Sequence, residues 1–223
     1  MNLLVAHGTR KPQGVAMVGD LARRVSGLLD RQVLVAFVDV LGPTPKEVLR
    51  AGSTIVVPAF LSCGYHVNVD IPAHVTSSGH TDVVVTQPLG PSPEIMRVLV
   101  HRLVESSWRR DDSVILAAAG TSDPVALRDL HTAATWLSAI TGSRVELAFA
   151  GTGRPRVAEA VSAFRRRGAR RVVVASYLLS DGLFADRLRA SGADVVTPPL
   201  GSHPGTVRLI ANRFRRARLP VAA

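Results

Sequence analysis

Two histidines and an aspartate stand where short apolar runs give way to loops: His7 in LLVAHGTR, Asp39 in AFVDVLGPTP and His66 in FLSCGYHVNVDIPAHV. Imidazole nitrogen and carboxylate oxygen together suit borderline divalent ions such as Fe²⁺, Co²⁺, Ni²⁺ and Zn²⁺, and three protein ligands leave coordination positions open for exchange. A metal held in this way can be handed on. The same groups also serve as bases, because an imidazole with an ordinary pKa of ~6.5 accepts protons at neutral pH and a nearby carboxylate stabilises the cation formed. Other candidates have plainer readings. Cys63, the single cysteine, excludes an internal disulfide framework and any cysteine-cluster zinc site, and reads as a small buried hydrophobe. Asp70 and Pro72 read as a helix cap and a first-turn proline that position His66 indirectly. His74 reads as a surface or core residue of a short helix, His80, His101 and His131 as solvated, and His203 in GSHPG as a loop cap.

The elements that must hold these residues follow from the apolar pattern. LLVA at Leu3-Ala6 is a short strand, and Val15, Val18, Leu21, Ala22, Val25, Leu28 and Leu29 lie on one helix face. After them come VLVAFV, the proline-started TPKEVLRAG, TIVVPAF, the short helix candidate DIPAHV, DVVVT and the longer PSPEIMRVLVHRLVESS. This is strand-helix four times over, and the unbroken Val/Ile character of the strands predicts a parallel sheet covered on both faces.

The pattern then restarts. VILAAAGTSD at Val114-Asp123 echoes LLVAHGTR at an offset of 112, which also carries Ala36-Phe37 onto Ala148-Phe149 and Pro43 onto Pro155. VTQPLGPSP at Val85-Pro93 recurs as VTPPLGSHP at Val196-Pro204. Long-period self-similarity of this kind marks an internal duplication. The expected fold class is therefore α/β, with two tandem similar domains, 1–110 and 111–223, each a small four-stranded parallel sheet flanked by helices, and an active cleft between them. The polar run SSWRRDDS, around Arg109-Asp112, is the expected linker. Duplication supplies an internal control: His7 becomes Ala119, Asp39 becomes Gly151, and His66 faces Leu183 or Phe184. All three losses fall just beyond strand carboxyl ends, where open parallel sheets gather ligands. Gly8 is retained as Gly120, which assigns it to a tight turn out of the strand.

Composition bounds the partners. The 223 residues are 47% hydrophobic and 20% charged, which is globular composition, and at roughly 150 residues per domain the length admits one large domain or two small ones. The longest stretches without charge carry Pro, Gly or His, so no membrane span is expected. The opening MNLLVAHGTRKP has an apolar run of four residues with no basic segment before it, so no secretory signal is expected and a cytoplasmic location is. Net charge is +10, from 27 basic and 17 acidic residues, which suits a polyanionic partner. Aromatics are only 4%, too few for the interleaved stacking of a nucleic-acid surface, and neither GxGxxG nor GxxxxGK[ST] occurs, so no nucleotide is implied.

LLVAHGTR, AFVDVLGPTP and FLSCGYHVNVDIPAHV together resemble the class II tetrapyrrole chelatases, the sirohydrochlorin cobalt- and ferrochelatases, and the likeness runs through both halves. The resemblance implies a lyase-type enzyme that inserts Fe²⁺ or Co²⁺ into sirohydrochlorin without ATP, for sirohaem or cobalamin biosynthesis, with no cofactor beyond the substrate metal. It implies His7 and His66 as the catalytic, metal-handling pair. In some members an acidic residue after the second strand, usually Glu, contributes; here it is Asp39, one methylene shorter. The family also includes two-domain members whose second half has lost its histidines, and this chain resembles them. The macrocycle would lie in the cleft with its carboxylates met by an Arg-rich rim, and Arg10 and Lys11 are the expected contacts. The chain would act as a monomer with pseudo-two-fold halves or as a homo-oligomer. Two other functions compete: a carrier that binds metal or tetrapyrrole without turnover, which needs the same ligands, and a histidine phosphatase, which would need Arg before the histidine where this chain has Ala6.

Overall fold

The computed structural model describes residues 1–50 and 52–218. Strand β1 (Asn2–Ala6) is buried along its whole length as an inner strand of a parallel sheet ordered β2-β1-β3-β4, with β2 at Val33–Phe37, β3 at Thr54–Pro58 and β4 at Val83–Val85. Leu4 pairs with Val35 on one side and Val57 on the other. A strand covered on both faces needs apolar side chains at successive positions, which is why neither LLVA nor TIVV alternates. The second sheet repeats the order as β6-β5-β7-β8, formed by β5 (Ser113–Ala118), β6 (Val145–Phe149), β7 (Val172–Tyr177) and β8 (Val195–Val196). The loops repeat too: the Phe37 amide donates to the Pro43 carbonyl at 2.9 Å, and Phe149 to Pro155 at 3.0 Å. Two four-stranded parallel sheets flanked by helices are thus the fold that the alternation predicts.

Helix α1 (Pro12–Leu29) starts on Pro12 and buries Val18, Leu21, Ala22 and Val25; Leu28, assigned to the same stripe, is exposed in the last turn. TPKEVLRAG forms only one turn, α2 (Pro45–Val48), capped where the Thr44 amide donates to the Glu47 carboxylate at 2.7 Å. Helix α3 (Ile71–Ser77) is entered through a π-helical turn, His66–Asp70. Next is α4 (Pro93–Glu105), capped by the Ser92 hydroxyl, which accepts from the Ile95 amide. In the second repeat, α5 (Pro124–Thr141) is capped by Asp123, and α6 (Val157–Arg166) and α7 (Leu183–Arg189) follow. Helix α8 (Pro204–Arg216) is capped by His203, whose Nδ1 accepts from the Gly205 amide at 2.9 Å. Among the described residues, no helix is long and apolar enough to cross a membrane.

The chain packs as two compact units whose limits differ from those of the repeats. One comprises Met1–Gly90 with the segment from Gly201 onward, and the other is Pro91–Leu200. The division departs from 1–110 and 111–223 because the last helix of each repeat is exchanged. Helix α4 buries Ile95, Met96, Val98, Leu99 and Leu103 in the second unit, on α5 and β7. Helix α8 buries Val207, Leu209, Ile210 and Phe214 in the first, on α1 and β3. The expected linker is likewise part of the second unit: Asp112 is 4% exposed and pairs with Arg171 at 2.7 Å, while the same guanidinium donates to the Ser107 carbonyl at 2.9 Å.

Candidate active site

In the order β2-β1-β3-β4 the chain leaves β1 for one neighbour and returns on the other side as β3, so the crevice of the first sheet opens beyond the carboxyl ends of β1 and β3. His7 directly follows β1, and His66 lies beyond β3. Their rings meet edge to face, with centroids 4.8 Å apart and planes at 80°. The Nε2 of His7 lies 3.9 Å from Oδ2 of Asp39, and the two side chains are 48% and 60% exposed. His7 thus stands between the other two candidates, on an open surface.

Backbone geometry forces this grouping. A side chain at Gly8 would lie well inside van der Waals contact of the Asp39 carbonyl oxygen, so only glycine lets the ends of β1 and β2 approach closely enough. The turn expected at Gly8 is not its reason, since its φ is outside the left-handed region; close approach is. Beyond Asp39 the chain reverses through Val40 at φ 69, with the Leu41 amide donating to the Asp39 carbonyl at 2.8 Å. A β-branched residue held there is strained by about 1–3 kcal/mol. That turn aims the Val40 amide at Asp39 Oδ1, 2.7 Å away, and leaves Oδ2 for His7.

The Nδ1 of His7 lies 2.7 Å from the Gly8 carbonyl oxygen. A carbonyl only accepts, so Nδ1 carries a hydrogen, and in the neutral ring Nε2 keeps its lone pair. That lone pair and a carboxylate oxygen, two electron-rich atoms at 3.9 Å, are the arrangement a cation between them would satisfy. Ligand atoms of a tetrahedral ion at ~2.1 Å stand roughly 3.4 Å apart, so a closure of about half an ångström suffices. The donor set, two imidazoles and one carboxylate, suits Fe²⁺ and Co²⁺.

Arg10 is exposed, and Lys11 is the N-cap residue of α1, its amide donating to the Thr9 hydroxyl at 3.2 Å. Cys63 is half-buried in the loop before His66, and its carbonyl accepts from Asn68 Nδ2 at 2.8 Å. His74 is half-buried on α3, and His80, expected to be solvated, bonds the Gly52 carbonyl at 2.7 Å through Nε2. Asp70 does not cap α3: its backbone is helical and its side chain makes no cap bond. Its Oδ2 lies 2.5 Å from Nδ1 of His66 instead. The spacing in HVNVD, four residues from imidazole to acid, was the available signal, since residues four apart share a helix face.

The second unit shows what replaces the trio. Ile55 and Val173 hold matching register positions, against Asn2 and Val114, which carries His66 onto Phe184 and Asp70 onto Leu188. A Cβ at Gly151, the counterpart of Asp39, would stand 2.8 Å from Cε1 of Phe184. The second copy has filled the space as well as lost the three side chains.

The family model described as CbiX matches residues 1–106 and again residues 113–217. A sirohydrochlorin ferrochelatase of Priestia megaterium is 25% identical in an alignment of 235 positions, gaps included, that covers 96% of this chain and 88% of the relative. A sirohydrochlorin cobaltochelatase of the same organism is 28% identical in an alignment of 204 positions that covers 83% of this chain and 66% of the relative. The solved structure of SirB from Bacillus subtilis with Fe³⁺ is similar in fold, with a TM-score of 0.79 at 21% identity, covering 96% of this chain and 94% of that one. Matched along both of its repeats, the chain belongs to the CbiX family.

Proposed function

We infer that this chain is a sirohydrochlorin chelatase that inserts Fe²⁺ or Co²⁺ into the free macrocycle without ATP. The observation that carries the reading is the contact of His7 with both His66 and Asp39, at the strand ends of the first repeat of a CbiX-family protein. Insertion replaces two pyrrole N–H hydrogens by M²⁺, so two protons must be accepted as the ion enters. His7 offers an Nε2 lone pair for ligation or for a proton, and His66 beside it makes a second nitrogen available within one ring contact. Asp39 supplies the anionic oxygen that attracts the incoming cation and stabilises an imidazolium once formed. The exposure of the site suits a transaction in which the ion arrives and leaves with the product. Arg10 and Lys11, immediately after the strand-end loop, are the cations we assign to the carboxylates of the substrate, within a chain of net charge +10.

The test is direct. With sirohydrochlorin and Co²⁺ or Fe²⁺, the purified protein should give the absorbance change of metal insertion in the absence of ATP. His7→Ala and His66→Ala should each lower kcat by about 100-fold or more, the scale of a lost acid-base group. Wild-type rates in both variants would overturn the site, and no insertion by the unaltered protein would overturn the activity.

A further inference from the structure

We propose that Asp70 is the positioning residue of the site: its carboxylate holds the hydrogen of His66 on Nδ1 and so keeps Nε2 free as a donor. The consequence for metal handling rests on the function proposed above, whereas the tautomer itself does not.

The argument starts from the bond. Asp70 Oδ2 lies 2.5 Å from His66 Nδ1, with the two side chains 26% and 32% exposed. An ionised carboxylate accepts only, so the ring nitrogen facing it must donate, and a single hydrogen on a neutral ring then leaves Nε2 bare. An unconstrained neutral imidazole prefers the opposite tautomer, with its hydrogen on Nε2. Something must therefore select the Nδ1–H form that this bond requires, and among the described residues the Asp70 carboxylate has no other hydrogen-bond partner. Nor is it spent on the helix, because Asp70 has helical backbone angles, φ −67 and ψ −48, and makes no cap bond.

Local backbone supports the pair. The Ile71 amide reaches back to the His66 carbonyl, five residues earlier, which makes HVNVD a π-helical turn. Such turns are rare and concentrate at functional sites. This one sets imidazole and acid side by side. The plane of the ring is steadied by Phe60, with centroids 5.9 Å apart, and by Tyr65 at 6.2 Å, but aromatic contacts cannot choose between two nitrogens. Only the acid can. The second unit agrees: where register puts Phe184 for His66 it puts Leu188 for Asp70, and the segment is ordinary helix. Imidazole, acid and π-turn are lost together.

With Gly8 holding His7 in the same form, both rings present Nε2 lone pairs. Carboxylates behind metal-binding histidines typically govern affinity or activity by about 10- to 100-fold.

The experiment uses the full chain, free of metal, with ¹⁵N-labelled histidine, observed by NMR at alkaline pH where the rings are neutral. In the unaltered protein His66 should carry its hydrogen on Nδ1; finding it on Nε2 overturns the proposal without any variant. Asp70→Ala should move the ring toward the Nε2–H form and weaken binding of Co²⁺ alone by about 10- to 100-fold, read from the cobalt absorption bands. Asp70→Asn, whose amide oxygen can still accept, should restore most of both. Activity should fall in kcat with KM for sirohydrochlorin unchanged. An Asp70→Ala protein with wild-type tautomer and Co²⁺ affinity overturns the role. If the tautomer and Co²⁺ affinity follow Asp70 but no form inserts metal, the proposed function fails and the positioning role stands. If the unaltered protein inserts metal and the tautomer ignores Asp70, the reverse holds.

Discussion

Asp39 owes its orientation to Val40, a β-branched residue at φ 69 whose amide anchors one carboxylate oxygen while the other faces His7. Glycine occupies that backbone region freely, so Val40→Gly should relieve strain and raise stability by about 1 kcal/mol in chemical denaturation, while loosening Asp39 and lowering the rate of metal insertion. A variant both less stable and fully active would remove the link between the turn and the acid. At this scale the sequence was informative where duplication exposed a difference. His7 against Ala119 and Asp39 against Gly151 marked two strand ends, and the structure does bring His7 into contact with Asp39 and His66. Asp70 reads as a cap because an acid two residues before a proline fits a helix start as well as it fits a partner for the imidazole four residues earlier. The deciding feature, a π-helical turn, leaves no mark in local composition.

Among elements, the buried strands were the most legible, since burial on two faces writes a continuous apolar run into β1 and β3. The short ones were less so: β8 is two residues long, and a side chain beside it adds to its backbone pairing with β7. Asp194, just before β8, accepts from the Val172 amide at 2.6 Å and from Arg165 at 2.5 Å, joining the edge of the second sheet to α6. The Arg165 guanidinium first, and the Val172 amide second, hold the Asp194 carboxyl below the usual carboxylate range. A lowered folded-state value means that the contribution is full above the unfolded value of about 3.9 and is lost as pH falls through the folded one. Asp194→Asn should therefore melt below the parent protein at pH 7, and the gap should close as both are taken into acid below that range. Because the side chains are 36% and 37% exposed, solvent screening keeps the effect modest. A gap that widened in acid would contradict the sign.

For the whole molecule, the repeat was legible and the exchange of its closing helices was not, because PSPEIMRVLVHRLVESS and its counterpart show only that each helix has an apolar face and leave open which sheet receives it. Packing assigns α4 to the second unit and α8 to the first. A fragment of residues 1–110 should then fail to fold as a cooperative monomer, since α4 would expose Ile95, Met96, Val98, Leu99 and Leu103 while α1 and β3 would lack their cover. Sedimentation and a thermal melt would decide, and a sharply melting monomer would refute the exchange.

That exchange also sets an order of events at the ribosome. The second unit is contiguous, from Pro91 to Leu200, and needs nothing that is translated after it. The sheet bearing His7 and His66 waits, one flank bare, until Pro204–Arg216 have been translated. A stop codon just after Leu200 would thus cripple chemistry encoded at the opposite end of the message, although every imidazole and carboxylate of the site had already been made.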